Sequence, residues 1–326
     1  MKHDKIWGYL IHLNENMWPA GDRDAMLAKG WTEQQFYDYS EKIRVDWELN
    51  TKLMEFLPSQ GFNTVMVDVG NGVQYERHPE ISMKEAMTKD QLKAFCDQLR
   101  ALGLTPIPKL NFSCGHDSWL KEYSKMIGTE AHRQVCDDCI DEVAEIFDWP
   151  EYFHLGQDED AFRNQAAYSY QHTRAPHILW SDRYRLFDRC AHNNSRPWVW
   201  ADEIWNDKRY GKELYTKMPK SVLLSNWWYS PDTGKKKDGS FLEDEFQGYI
   251  WLNEHGFDQV LTCSTWQNET NTEFTFRLAK ERLDPAHFKG VLTAPWDYCY
   301  GHHYYALMQE AVRFGVAKKK IYPEEK

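Results

Sequence analysis

The chain has 326 residues, which suits one (β/α)8 barrel of about 250 residues with long loops, or two to three smaller domains. Hydrophobic residues make up 42% and charged residues 27%, which excludes wholesale disorder, and no run of about 18 apolar residues is present to span a bilayer. A net charge of −11 repels phosphate backbones and argues against nucleic acid as a partner.

The opening residues run straight into an apolar segment without a signal sequence, as in a cytoplasmic chain or one whose leader has been removed. Short apolar or β-branched runs follow at 6–14, 64–69, 105–113, 152–157, 197–202, 222–228, 259–266 and 290–296, and each reads as a strand. Helical patterns lie between them. Thr32-Glu33-Gln34-Gln35 forms a capping box that predicts a long helix running toward Leu57. Leu92, Phe95, Cys96, Leu99 and Leu102 recur at helical spacing, with Gly103 where a C-terminal cap belongs. Val135, Cys139, Ile140, Val143 and Phe147 form a second stripe, closed by Asp148-Trp149-Pro150. The lysine runs at 235–237 and 318–320 read as solvated loop or tail charges.

Strand–helix alternation over the whole length, with no linker, predicts one α/β domain over 1–326, a (β/α)8 TIM barrel. A doubly wound sheet is the competing architecture, but no G-x-G-x-x-G or P-loop follows any strand. The seven cysteines are scattered and do not form a disulfide framework. Cys136 and Cys139 are spaced as a CxxC inside a helical stripe and read as core positions, not metal ligands. No metal and no cofactor is expected.

Aromatic residues are 15% of the chain, with 15 tryptophans. Trp-rich clefts suit ligands with apolar faces and polar edges, of which sugars are the commonest. In a barrel the chemistry sits at the C-terminal ends of the strands. Those ends carry His12, Asn14, Glu15 and Trp18; Asp68 and Asn71; Asn111, His116 and Trp119; Gln157 to Asp160; Trp200, Asp202, Glu203 and Trp205; Asn226 to Tyr229; Trp266, Gln267 and Asn268; and Trp296, Asp297 and Tyr298.

The sharpest segment is Phe153-His154-Leu155-Gly156-Gln157-Asp158-Glu159-Asp160. Neighbouring carboxylates raise each other's proton affinity, so one can stay protonated as a general acid while its neighbour is ionised. The competing reading is an acidic helix N-terminus. The segment resembles the His-(Ile/Leu)-Gly-Gly-Asp-Glu signature of the β-N-acetylhexosaminidases of glycoside hydrolase family 20. Residues 107–116, Ile-Pro-Lys-Leu-Asn-Phe-Ser-Cys-Gly-His, are similar to that family's Ile-Pro-Glu-Ile-Asp-Met-Pro-Gly-His stretch, with one residue inserted. Trp200-Ala201-Asp202 resembles its Trp-(Asp/Glu)-Asp, and Ala294-Pro295-Trp296-Asp297 its Trp-Gly-Glu region.

The resemblance implies a retaining glycosidase in which the substrate's own 2-acetamido oxygen is the nucleophile. It implies Glu159 as general acid/base and Asp158 as the group that orients the acetamido nitrogen. Trp200, Trp228, Trp266 and Trp296 would wall the sugar, joined by Asp202, Tyr229 and Asp297. His116 and His154 would lie at or just behind the mouth. The chain departs from the family pattern in three places. Residues 8–14 hold no arginine for the sugar hydroxyls; Lys109 and Asn111 replace a glutamate and an aspartate; and the seventh strand supplies no tyrosine for the acetamido carbonyl, leaving Tyr229 and Tyr298 as candidates. Two other readings use the same residues. A metal-dependent sugar isomerase or hydrolase would recruit His12, Asp68, His116, His154, Asp158 and Asp202, although no HxH or HExxH spacing is present. A carbohydrate-binding barrel without catalysis would keep the tryptophans and not need Glu159.

Overall fold

The computed structural model describes residues 4–18, 39–166, 172–207, 210–229 and 243–325. Eight strands close into a barrel in chain order: β1 Ile6–His12, β2 Thr64–Asp68, β3 Thr105–Lys109, β4 Tyr152–His154, β5 Arg196–Trp200, β6 Leu223–Ser225, β7 Gln259–Cys263 and β8 Phe288–Thr293. Every pairing is parallel, and β8 returns to β1. The architecture is the predicted (β/α)8 barrel, and each of the eight predicted runs overlaps a strand, β5 and β8 beginning one and two residues earlier than predicted. The described helices are α1 Trp47–Phe56, α2 Lys89–Ala101, α3 Glu130–Ile146, α4 Phe162–Gln165, α5 Pro176–His192, α6 Glu203–Asn206, α7 Leu214–Lys217, α8 Glu243–Glu254, α9 Asn271–Arg282 and α10 His303–Ile321. Among the described residues no helix is long and apolar enough to cross a membrane.

Alternation along the strands divides the apolar side chains into two layers. Leu10, Met66, Ile107, Trp198, Leu223, Val260 and Leu292 fill the barrel interior. Tyr9, Ile11, Val65, Val67, Val199, Leu224, Leu261 and Val291 pack outward under the helices. Closure depends on one glycine. Gly290 has φ +136, and a Cβ there would lie 1.8 Å from the Ile6 carbonyl oxygen.

The helix stripes are found where the spacing predicts them, with local corrections. Gly103, at φ +80, follows the end of α2, and a Thr88–Gln91 capping box opens that helix. Cys136 and Cys139 are buried on α3. The box at 32–35 lies outside the described residues. The helix that reaches Leu57 starts only at Trp47, capped by Asp46, whose carboxylate accepts from the Leu49 N–H. The preceding residues are drawn into isolated bridges with distant loop segments, Lys42 with Glu85 and Val45 with Cys299, and tertiary pairing overrides local helix propensity there. The lysines at 318–320 belong to the last turns of α10, not to a tail. Lys318 is buried and donates to the Gly61 carbonyl at 2.8 Å. The run at 235–237 lies outside the described residues.

Candidate active site

At the C-terminal mouth of the barrel is a cavity of about 490 Å³ lined by Trp18, His116, Asp158, Glu159, Trp227, Trp228, Tyr229, Trp266, Gln267 and Trp296. Its acidic edge is built by the turn that follows β4. Gly156, Gln157 and Glu159 all have positive φ, at +70, +69 and +52. That turn lifts Asp158 and Glu159 out of the strand's alternation, so that both face one cavity. A Cβ on Gly156 would lie 2.0 Å from Asn111 Oδ1, so only glycine fits.

Asn111 is the support of Asp158. Its Nδ2 donates to Asp158 Oδ1 at 2.8 Å, and its Oδ1 accepts from the Ser113 N–H at 3.1 Å, which fixes which way the amide faces. Ser113 Oγ lies between the two, 2.6 Å from Asn111 Oδ1 and 3.1 Å from Asp158 Oδ1. Trp119, which the barrel rule places near the mouth, is fully buried instead and donates its indole N–H to the Asn111 carbonyl at 2.7 Å. His116 Nε2 lies 3.6 Å from Asp158 Oδ2 and 3.7 Å from Glu159 Oε2, so it faces both carboxyl groups. Replacing Gly156 by alanine is expected to displace Asn111 and free Asp158. A thermal melt should show a destabilisation of about 1–3 kcal/mol from the left-handed backbone alone.

Glu159 is the more open of the pair, with 46% of its side chain exposed. Partial burial raises its pKa above the ordinary glutamate value, and the charge of Asp158 adds to this against the opposing pull of His116 and Arg163. The like-charge effect expected from sequence is thus present but second to desolvation. The third carboxylate of the segment has a different task. Asp160 is buried and accepts from the Arg174 guanidinium at 2.8 Å, away from the cavity. No helix N-terminus begins on these acids, because α4 starts only at Phe162.

Asp202, at the end of β5, is fully buried beneath Glu159. Its Oδ2 accepts from the Glu159 N–H at 3.0 Å and from Asn206 Nδ2 at 3.2 Å. Burial pushes its pKa up to about 8, helped by the charges of Asp158 and Glu159. Burial likewise takes Glu15 up to about 7, against the pull of Arg44. Both groups hold protons in the folded chain that the unfolded chain releases above the ordinary values of 3.8 and 4.5. Folded-state proton binding exceeds unfolded-state binding across that interval, so stability falls as pH rises from about 4 to about 8. Asp68 acts in the opposite sense at lower pH. Burial would raise its pKa, but Lys109 and His12 outweigh burial and hold it at about 2, so its contribution is lost as pH falls from the ordinary carboxylate value of 3.8 through about 2. Melting temperatures are expected to decline from about pH 5 to about pH 8.5, and Asp202→Asn should flatten much of the decline. An equally steep decline in that variant would assign the effect elsewhere.

The aromatic walls divide into rim and floor. Trp266 is 59% exposed at the rim, while Trp228, Tyr229 and Trp296 lie deeper. Trp200 is buried below the cavity, 4.4 Å from the His154 ring and 6.1 Å from Trp296 between centroids. His154 is buried too. Its Nδ1 accepts from the Gly156 N–H at 3.1 Å, and burial and Lys109 hold its pKa well below the usual histidine value. It braces the turn and does not line the cavity. Asp297 is turned away, with its carboxylate 2.6 Å from His303 Nδ1 and accepting from the Tyr298 N–H at 2.8 Å. Of the two candidate tyrosines, Tyr229 lines the cavity, whereas Tyr298 packs on Tyr300 and His303. Trp18, Trp227 and Gln267 line the cavity without being among the sugar contacts that the resemblance implies. They lie at the ends of the first, sixth and seventh strands, where the barrel rule alone would find them.

The side chains of the metal reading do not converge. Asp68 Oδ2 is held by His12 Nδ1 at 2.9 Å and by the buried Lys109 ammonium at 2.7 Å. Among the described residues no group of three or more His, Cys, Asp or Glu side chains is placed to hold an ion.

The closed parallel barrel thus presents paired carboxyls and a wall of indoles at its C-terminal mouth, where barrels of this kind carry their sites. The solved structures that share the fold include family 20 enzymes. The β-N-acetylhexosaminidase of Bacteroides fragilis superposes with a TM-score of 0.60 at 11% identity, over 98% of this chain and 71% of its own. A mutant Streptomyces plicatus β-hexosaminidase in complex with its product GlcNAc gives 0.63 at 10% identity, over 95% and 64%. The Flavobacterium johnsoniae chitobiase gives 0.60 at 11% identity, over 88% and 50%. The chain therefore spans half to about seven tenths of these proteins. No protein-family model and no curated protein matches it. At such identities the likeness establishes the fold, the same fold that the motif at 153–159 implies.

Proposed function

We propose that the chain is a retaining glycoside hydrolase that cleaves a terminal, 2-acetamido-bearing hexose by substrate assistance. The observation that carries this reading is the joint presentation of Asp158 and Glu159, with His116 facing both, to a cavity walled by indoles. The sugar ring stacks against the deep tryptophans, which supply apolar faces at about 1 kcal/mol per ring. Glu159, whose proton affinity its partly buried setting raises, gives its proton to the glycosidic oxygen as the bond to the anomeric carbon breaks. The acetamido oxygen closes on that carbon from the opposite face. Asp158, held by Asn111, accepts the acetamido N–H and offsets the positive charge that develops there. Tyr229 is the residue in the cavity whose hydroxyl can donate to the acetamido oxygen. Water then opens the cyclic intermediate, with Glu159 as the base that takes its proton.

The test is a panel of aryl glycosides, comprising N-acetylglucosaminide, N-acetylgalactosaminide, glucoside and galactoside, read alongside indole fluorescence. Release of the aryl group from an N-acetylated member, with retention at the anomeric centre, is the expected result. Fluorescence changes without turnover of any member would favour a binding barrel. No fluorescence change with any sugar would remove carbohydrate as the ligand.

A further inference from the structure

The general acid assigned above stands on an unusual backbone. Glu159 has φ +52, in the left-handed region that residues bearing a Cβ rarely occupy. Such a residue persists only where its surroundings over-determine it. Both of its backbone polar groups are in fact held. The N–H donates to Asp202 Oδ2 at 3.0 Å, and the carbonyl accepts from Asn164 Nδ2 at 2.6 Å. The two partners come from different elements, Asn164 from α4 and Asp202 from the end of β5.

The supports are themselves fixed. Asp202 is entirely buried and takes Asn206 Nδ2 on the same oxygen. Asn206, on α6, is in turn bonded by Arg163 of α4, which ties the two short helices together across the turn. Glu203, beside Asp202, is bonded by the buried Arg183 of α5. None of these groups except Glu159 lines the cavity, so their arrangement serves the backbone that carries Glu159, not a ligand contact.

We propose that Asp202 and Asn164 are positioning residues that clamp the peptide of Glu159 in its left-handed conformation and so aim its carboxyl at the glycosidic oxygen. Released, the residue would relax by roughly 110° in φ to the right-handed region. That rotation would swing the side chain away from Asp158 and His116, and proton transfer does not tolerate misplacement on that scale. The inference rests on Glu159 being the acid.

The experiment compares Asp202→Ala, Asp202→Asn, Asn164→Ala and Glu159→Gln on two substrates: a disaccharide, whose leaving group needs a proton, and a dinitrophenyl glycoside, whose leaving group does not. Asp202→Ala and Asn164→Ala should lose turnover of the disaccharide by about 10- to 100-fold, with a much smaller loss on the aryl substrate and KM nearly unchanged. Asp202→Asn keeps an oxygen that can accept the Glu159 N–H and should stay within a few fold of the parent. General damage to the fold would instead lower both substrates alike. Equal losses on the two substrates, or full activity in both alanine variants, would overturn the clamp, and so would an Asp202→Asn variant as impaired as Asp202→Ala. If Asp202→Ala does not fold, Asn164→Ala decides alone: a leaving-group-selective loss upholds the clamp and unchanged rates refute it. Glu159→Gln separates the two levels of the reading. Leaving-group dependence there, without it in the clamp variants, removes only the clamp. Its absence in Glu159→Gln removes the acid assignment and the clamp together.

Discussion

Glu159→Gln is expected to slow hydrolysis of a disaccharide by about 10²–10⁴-fold, equivalent to about 3–5 kcal/mol of transition-state stabilisation. Glutamine keeps the shape and the backbone contacts of the turn, so the loss isolates the proton. Glu159 suits the task because its side chain is half in water and half in the cavity. It can exchange protons with solvent, while burial and the charge of Asp158 hold its pKa above the ordinary glutamate value. The alkaline limb of the pH–rate profile should report that raised value and should vanish in the variant. Aryl glycosides that leave without a proton should lose far less. Equal losses on both substrate types would refute the acid role, because nothing else about the substitution distinguishes leaving groups.

The barrel is legible in the sequence because a parallel strand buried on both faces must be apolar, and because the rules of barrel topology leave little choice once eight such runs alternate with helices. The same logic makes the mouth legible as a set of strand ends. It does not say which way a side chain turns when it arrives there. Trp119 and Asp297 are both strand-end residues, yet one is drawn under the loop by the Asn111 carbonyl and the other outward by His303. Those partners are set by packing between loops, which no local pattern encodes. Trp18 and Trp227 illustrate the converse. Nothing in their immediate neighbours marks them as wall residues, but closure brings the first and sixth strand ends onto one cavity. The part played by Asp202 was hidden for a further reason. It acts on the backbone of Glu159, 43 positions away, through a single hydrogen bond. Lys109 is the most instructive departure from the family pattern. A lysine with no exposed surface would be untenable alone, and the Asp68 carboxylate that neutralises it comes from the adjacent strand in direct register.

Asp158→Asn should reduce turnover of disaccharide and aryl glycoside alike, by about 10²–10³-fold on each. The reason lies in what Asp158 does not do. Asn111 and Ser113 crowd one of its oxygens and His116 faces the other, so it is held in place and not free to deliver a proton to a leaving group. Under the proposed mechanism its negative charge would serve the positive charge that develops on the acetamido group as the ring closes, a step that mechanism shares among all substrates. Asparagine retains an oxygen to accept from Asn111, so the turn should survive and the melting temperature should not fall. A second signature follows from electrostatics. Asp158 is one of the groups that raise the pKa of both Glu159 and Asp202, so its neutralisation should move the alkaline limb of the residual activity to lower pH. The acid would then be lost at a pH where the parent still carries it. Full activity in Asp158→Asn, or a loss confined to the disaccharide, would show that the two carboxyls do not divide the work in this way. A uniform loss together with an acid-shifted limb is the pattern that only a charged, non-transferring neighbour produces.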